Sequence, residues 1–265
     1  MPFIRSISIH SNKSSPFPFN IPAISFAKEI ELDKKVTIFV GDNGCGKSTL
    51  LETIALSINL PLIGGYINEH PGFEAAAILK SLLTIEWSRQ TGNGFFFRAE
   101  DFSDFVNSVE NERRKIDFDL NDLKGKVDDS VIKQMSESMN YRLFAMRKDY
   151  GENMQAFSHG EAYLKILETR IHKKGIYLLD EPEAALSPLK QLSLLFLIME
   201  SVKSQNTQFI LATHSPIMMG IPGAVIYEIK EDGMQKVNFE QTDHYTITKT
   251  FLNNPNYYLR HFDME

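Results

Sequence analysis

The stretch VTIFVGDNGCGKSTLLETIAL, residues 36–56, decides how this chain reads. An apolar run, a glycine-rich loop and a helix-spaced segment follow one another directly, and the loop has the spacing G-x-x-x-x-G-K-[ST]. Gly41, Gly44 and Gly46 let the backbone turn tightly, so successive N–H groups aim at phosphate oxygens. We therefore take Gly41, Asp42, Asn43, Gly44, Cys45, Gly46, Lys47, Ser48 and Thr49 as the candidate phosphate contacts. The helix opening near Lys47 adds the positive end of its dipole, roughly half an elementary charge. Lys47 is expected to reach the β- and γ-phosphates and Ser48 to ligate Mg²⁺. A glycine turn that binds nothing is the alternative, and the strand before it and helix after it weigh against that. Cys45 sits inside the loop, where a helix N-terminus can activate a thiol. The plainer reading is that a small side chain fits there.

Composition narrows the rest. With 265 residues and 43% hydrophobic content the chain can bury a large core. Its apolar runs are shorter than the roughly 20 residues of a membrane span. The start, MPFIRSISIH, alternates like a strand and has no signal-peptide core. One cysteine cannot close an internal disulfide, which fits a reducing, cytoplasmic setting. A formal charge of −6 speaks against a basic nucleic-acid-binding coat, while a local basic patch stays compatible.

Outward from the loop, Ile4, Ile7 and Ile9 lie in a strand-like run. A Pro-rich loop, SSPFPFNIP (residues 14–22), leads to AISFAKEIEL (residues 23–32), also read as strand. LLTIEWS and FFFRA flank RQTGNG, a hairpin-type turn signal. Residues from about 100 to 155 are rich in charge and amide and read as a helical insertion. Beyond it come a helix, the strand of KKGIYLLDE, the helix of PLKQLSLLFLIMESVKS, the strand of TQFILATHS and a hairpin over residues 224–239. Strands alternating with helices predict a mostly parallel sheet, split in sequence by the insertion.

Two strand ends carry further chemistry. In GIYLLDEPEAALSP (residues 175–188), four apolar residues end in Asp180, a candidate Mg²⁺ ligand acting through water or Ser48. Glu181 beside it is placed to orient an attacking water as general base. Two acids ending a strand at the surface would be unremarkable alone; the phosphate loop changes that. QFILATHSP (residues 208–216) sets Thr213, His214 and Ser215 beyond the next strand. His214 reads as a hydrogen-bonded structural residue or, from its position, as a sensor of the γ-phosphate. In FSHGEAYLKIL (residues 157–167), Ser158, Gly160 and Glu161 have the grammar of a capped helix start.

GDNGCGKS, SHGE, LLDEPEAALS and THS, in that order, resemble the ABC-type ATPase heads, and the SMC-like and RecF-like branch more than transporter subunits. Small stand-alone ATPases of that branch also end in a segment similar to HYTITKTFLNNPNYYLRHF (residues 244–262). The resemblance spans nearly the whole chain and is weakest in the insertion. It implies a P-loop NTPase fold of α/β class, with a mostly parallel central sheet, an antiparallel β portion near the N-terminus and a helical insertion. It implies ATP and Mg²⁺ as ligands and a head-to-tail homodimer. In such a dimer Ser158 and Gly160 of one subunit, with Glu161 beside them, cover the ATP held by the other. Ala185, Leu186 and Ser187 match the D-loop that touches the partner. Many ABC heads end that loop in aspartate, so Ser187 is a departure. His159 and Glu161 replace the Gly-Gln ending of transporter signatures. After GFFFR, where many heads place a glutamine, stand Ala99, Glu100 and Asp101. Glu100 either contacts Mg²⁺ or the water, or is an acid at a helix start. Phe17 or Phe19 either stacks on adenine or packs in the core.

The expected organisation is a nucleotide-binding core of residues 1–99 and 161–265, with residues 100–160 as the helical insertion ending in the signature. The expected function is an ATP-hydrolysing switch (Lys47, Glu181 and His214 catalytic; Ser48, Asp180 and Glu100 toward metal). It would act on DNA, in repair or maintenance or phage defence, or on a separate effector or nuclease. Asn111 to Lys115 (NERRK), Lys124 and Lys126 are the candidate phosphate-backbone contacts, with a solvated helix face as the plainer reading. The alternatives are a subunit coupled to a membrane transporter and an ATP-dependent regulator of a toxin.

Overall fold

A computed structural model describes residues 1–10, 16–63, 72–122 and 159–260. In chain order the elements are β1 (Ile4–Ile9), α1 (Pro22–Ser25), β2 (Ile30–Glu31), β3 (Val36–Gly41), α2 (Lys47–Ser57), α3 (Glu74–Leu79), β4 (Leu83–Trp87), β5 (Gly94–Arg98), α4 (Phe102–Asp122), α5 (His159–Arg170), β6 (Ile176–Asp180), α6 (Pro188–Ser204), β7 (Gln208–Ala212), α7 (Pro216–Met219), β8 (Val225–Lys230), β9 (Gly233–Val237), α8 (Asp243–Asn253) and α9 (Asn256–Leu259).

The main sheet runs β5-β6-β7-β3-β8-β9, parallel except for the antiparallel β8–β9 hairpin. A small sheet, β2-β1-β4, is antiparallel. The continuous apolar runs follow from burial of both sheet faces. Along β6, Ile176 and Leu178 join one core cluster with α2 and the small sheet, while Tyr177 and Leu179 join the other. Phe39 of β3 points to the first cluster and Ile38 and Val40 to the second, the period of two expected of a strand. The second cluster collects Phe102 of α4, Tyr163 of α5 and Leu194 of α6. Phe97, Phe102 and Tyr163 meet as an aromatic trio, with Tyr163 4.9 Å from Phe97 and 5.0 Å from Phe102 between ring centroids. These contacts tie the starts of α4 and α5 to the edge of the sheet. β3 lies between β7 and β8, so segments before and after residues 100–160 interleave in one sheet.

Two sequence expectations are corrected. Residues 82–99 do not form a hairpin: β4 pairs with β1, whereas β5 pairs in parallel with β6. The burial patterns give the reason. β4 alternates between half-buried and exposed, which suits an antiparallel sheet with one wet face; Phe95 to Arg98 of β5 are all buried. Gly94 was a turn signal, yet it serves close approach. Its φ is +127°, and a Cβ there would lie 1.7 Å from the Ile176 carbonyl oxygen. Residues 23–32 are not mainly strand either. Pro22 opens a helical turn, using a φ already set for the first helical position, and only Ile30–Glu31 pair.

Gln208 of β7, fully buried, joins the two sheets. Its carboxamide oxygen accepts from the N–H groups of Phe3 and Ile4, both at 2.8 Å. Its nitrogen donates to the carbonyls of Ile4 at 3.0 Å and Leu32 at 2.9 Å. A buried amide satisfied on both ends stabilises this junction, whereas truncating it would strand four backbone groups.

Candidate functional site

The parallel order places the C-terminal ends of β3, β6 and β7 on one side of the sheet, where such sheets present ligands. The loop after β3 wraps the start of α2. Gly46 is the cap residue, with φ +94°, and a Cβ on it would fall 2.1 Å from Ile21 Cγ2. Only glycine admits this tight passage from loop to helix. A cleft of about 240 Å³ opens here. Asn43, Gly44, Gly46, Lys47, Ser48 and Thr49 line it, with Phe17 and Ile21 from the Pro-rich loop and Glu181 from the end of β6. Cys45 is buried in the core and its carbonyl accepts from Ala23 N–H at 2.8 Å. Its placement is that of a packing residue.

Lys47 is buried, and its ammonium donates to the carbonyls of Gly41 at 2.7 Å and Asp42 at 3.0 Å. Asp180 is also buried and accepts a hydrogen bond from Ser48. Burial pushes its carboxyl up to about 6, against the opposing pull of Ser48, Arg98 and Lys47. Its Oδ1 has no partner among the described residues. A buried carboxylate oxygen left open beside a serine hydroxyl suits a hard divalent cation.

Glu181 follows with φ +48°, uncommon for a residue with a side chain, and its N–H donates to the Ala212 carbonyl at 2.9 Å. That bond anchors the strained residue to the end of β7. Its Oε1 lies 3.6 Å from His214 Nε2. Burial first, then Lys47, holds the His214 imidazole below its ordinary range.

Glu183, two residues beyond Glu181, takes its role from the fold. Its Oε1 accepts from the N–H groups of His214 at 2.7 Å and Ser215 at 3.1 Å. It also accepts from the Thr213 hydroxyl. Burial still raises its pKa. Gln191 of α6 adds a second tie: Ser215 Oγ donates to its Oε1 at 2.6 Å, and its Nε2 donates to the Leu186 carbonyl at 3.0 Å. The segment after β6 and the segment after β7 are therefore tied to each other by side-chain hydrogen bonds. Neither residue carries a sequence signal for this, because the partner of each is set by tertiary placement.

Of the remaining expected residues, Gly160 and Glu161 fall in the first turn of α5, and the Glu161 carboxylate is 3.8 Å from Lys190 Nζ of α6. Ser158 lies outside the described residues, as do Lys124 and Lys126. Ala185 and Ser187 are exposed while Leu186 is buried. Phe17 is exposed at the cleft, whereas Phe19 packs on the core. Glu100 is largely exposed and forms an ion pair with Arg98. Arg98, buried at the end of β5 and in register with Asp180, also lies 3.5 Å from Glu52 and 3.7 Å from Asp101.

Glu52, on α2, is nearly inaccessible, and desolvation pushes its carboxyl up to about 7 despite Arg98. A carboxyl with a folded-state pKa above its unfolded value near 4.5 binds more protons when folded. Its contribution is favourable at low pH and is lost as pH rises from the unfolded value through about 7. We expect the unfolding free energy of the nucleotide-free protein to fall between about pH 5 and 8, with Glu52 supplying on the order of 1–3 kcal/mol. Glu52→Gln should flatten that slope in denaturant titrations at several pH values. An unchanged slope would clear Glu52 of the effect.

Two solved SMC heads agree with this architecture. A family model described as "AAA domain, putative AbiEii toxin, Type IV TA system" matches residues 96–219. A structure of the SMC head bound to the C-winged helix domain of ScpA superposes with a TM-score of 0.53 at 16% identity, covering 89% of this chain and 98% of that one. The SMC head domain of Pyrococcus furiosus, with an extended coiled coil and bound to the C-terminal domain of ScpA, gives 0.50 at 13% identity, covering 96% and 99%. CbiO1 from Clostridium perfringens, part of the ABC transporter complex cbiONQ, gives 0.46 at 17% identity, covering 96% and 97%. No curated protein sequence matches. The chain shares the fold of these SMC head domains. Among the described residues no helix is long and apolar enough to cross a membrane.

Proposed function

We propose that this protein is an ATP-hydrolysing switch. The observation that carries the reading is that Lys47, Ser48 and Glu181 line one cleft, with Asp180 hydrogen-bonded to Ser48 and His214 3.6 Å from Glu181. The backbone N–H groups of the loop and the α2 N-terminus bind the phosphates, and Lys47 turns from its carbonyl partners to them. Ser48 and Asp180 are the residues that would hold Mg²⁺. The cation, when bound, supplies charge neutralisation on the β- and γ-phosphates. Glu181 takes the proton of the attacking water, and His214 donates to the γ-phosphate. Glu100 is engaged with Arg98, so its part is indirect, through the charge beside Asp180.

Phe17 is the aromatic for the base, since it is exposed at the cleft mouth while Phe19 belongs to the core. A stacked base contributes about 1–3 kcal/mol. Phe17→Ala should weaken ATP binding about 5–150-fold at little cost to stability, measured by equilibrium titration; Phe19→Ala should instead lower the melting temperature. Wild-type affinity in the Phe17 variant would remove the stacking role.

The cycle requires two chains, with Ser158 and Gly160 of one closing over the ATP of the other. It is supported by the resemblance of SHGE (residues 158–161) to the signature of ABC-type heads, which pair head to tail. Turnover per chain should accordingly rise with protein concentration before it levels. A turnover per chain independent of concentration, with monomer present throughout, would sink the composite site. The target is DNA or an effector protein. Exposed Arg114 and Lys115 on α4 are suited to phosphates, and the toxin–antitoxin description of the matching family suits an effector. ATPase rates alone, with duplex DNA and with single-stranded DNA or RNA separate the two.

A further inference from the structure

His244 lies outside the motifs that define the cleft, yet its ring meets the histidine of the site. Its Nε2 is 3.1 Å from His214 Nδ1, and the ring centroids are 5.2 Å apart. One hydrogen lies between the two nitrogens of a neutral pair. Either His214 donates from Nδ1, or His244 donates from Nε2. The choice decides what the other end of His214 can do. Its Nε2, facing Glu181, carries a hydrogen only in the second case.

The fold gives His244 little room to leave. It occupies the first turn of α8, whose start is pinned on three sides. Buried Thr242 accepts from Tyr245 N–H at 3.3 Å. The N–H of Asp243 donates to the buried carboxylate of Glu228 at 3.3 Å. Lys230 bridges Glu228 at 3.2 Å and Asp243 at 2.9 Å. Lys47, Glu181 and Asp42 face His214; Lys47, Asp42, Glu228 and Asp243 face His244. Burial, then Lys47, lowers both imidazoles, which favours the neutral form of each.

We propose that His244 is a positioning residue: it donates from Nε2 to His214 Nδ1 and holds His214 in the tautomer whose Nε2–H faces Glu181 and the cleft. This rests on reading His214 as the phosphate-sensing residue. It makes α8, which continues into exposed Ile247, Phe251 and Leu252, part of the nucleotide site.

Nitrogen NMR of the imidazoles in the full, nucleotide-free chain reads the tautomer directly. The expected wild-type spectrum has His214 protonated at Nε2 and bare at Nδ1. His244→Gln keeps a donor at the same place and should keep that tautomer. His244→Glu, which only accepts when ionised, should move the hydrogen to Nδ1. In ATP turnover, His244→Glu should lose about 10–100-fold in kcat with KM nearly unchanged, and the Gln variant should recover most of the rate. Adding His244→Glu to His214→Gln should cost nothing further. A wild-type His214 protonated at Nδ1 overturns the proposal even if the Glu variant fails to fold, and so do equal rates in the Glu and Gln variants. A wild type with the expected tautomer but no turnover would leave this arrangement standing and sink the hydrolytic reading instead.

Discussion

Glu181→Gln is expected to bind ATP, pair with a second chain and turn over about 10²–10⁴-fold more slowly than wild type, the loss typical of a missing general base. The substitution preserves size, so the left-handed backbone at residue 181 and its N–H bond to Ala212 should persist. What goes is the carboxylate beside His214 that can take a proton from water. Single-turnover phosphate release gives the rate, and gel filtration with ATP gives the pairing. Trapped dimer with little release is the expected result. Release at the wild-type rate would take Glu181 out of the chemistry, whatever the pairing.

Ser158→Arg is expected to leave ATP binding by the isolated chain near wild type and to abolish closure, with turnover falling toward that of the monomer. The proposed reason is geometric: the signature serves the neighbour's nucleotide, so a bulky cation there obstructs the second chain and not the first. Gly160 and Glu161 in the first turn of α5 show how the segment is backed, since Glu161 approaches Lys190 and α5 packs through Tyr163 against the sheet. Equilibrium nucleotide titration and light scattering with ATP separate binding from closure. Loss of ATP binding by the monomer would show that residue 158 serves its own chain and refute the cross-subunit reading.

The legible parts of this protein are those in which chemistry is local. The glycine-rich loop after β3 needs glycine where φ is positive, and Lys47 and Ser48 follow at the helix start, so those residues announce themselves at fixed spacing. Asp180 and Glu181 were visible because a strand buried on both faces is an apolar run, so acids stand out at its end. The hairpin expectation over residues 82–99 failed for the opposite reason. Gly94 looks the same in sequence whether it turns a chain or admits a neighbouring carbonyl, and only the position of Ile176 tells which. The strand expectation over residues 23–32 failed because Pro22 starts a helical turn that its neighbours alone do not require.

By itself, then, the sequence determined the class of fold, the glycine-rich loop between β3 and α2, and the acids and histidine at the two strand ends. Each is dictated by backbone geometry or burial within a few residues. Tertiary structure decided how these pieces are held. It set Gln208 between two sheets, Glu183 under the loop of His214, Gln191 across two loops, and His244 against His214 from 30 residues away. These are hydrogen bonds between groups distant in sequence, and a hydrogen bond leaves no periodic trace in the chain that makes it.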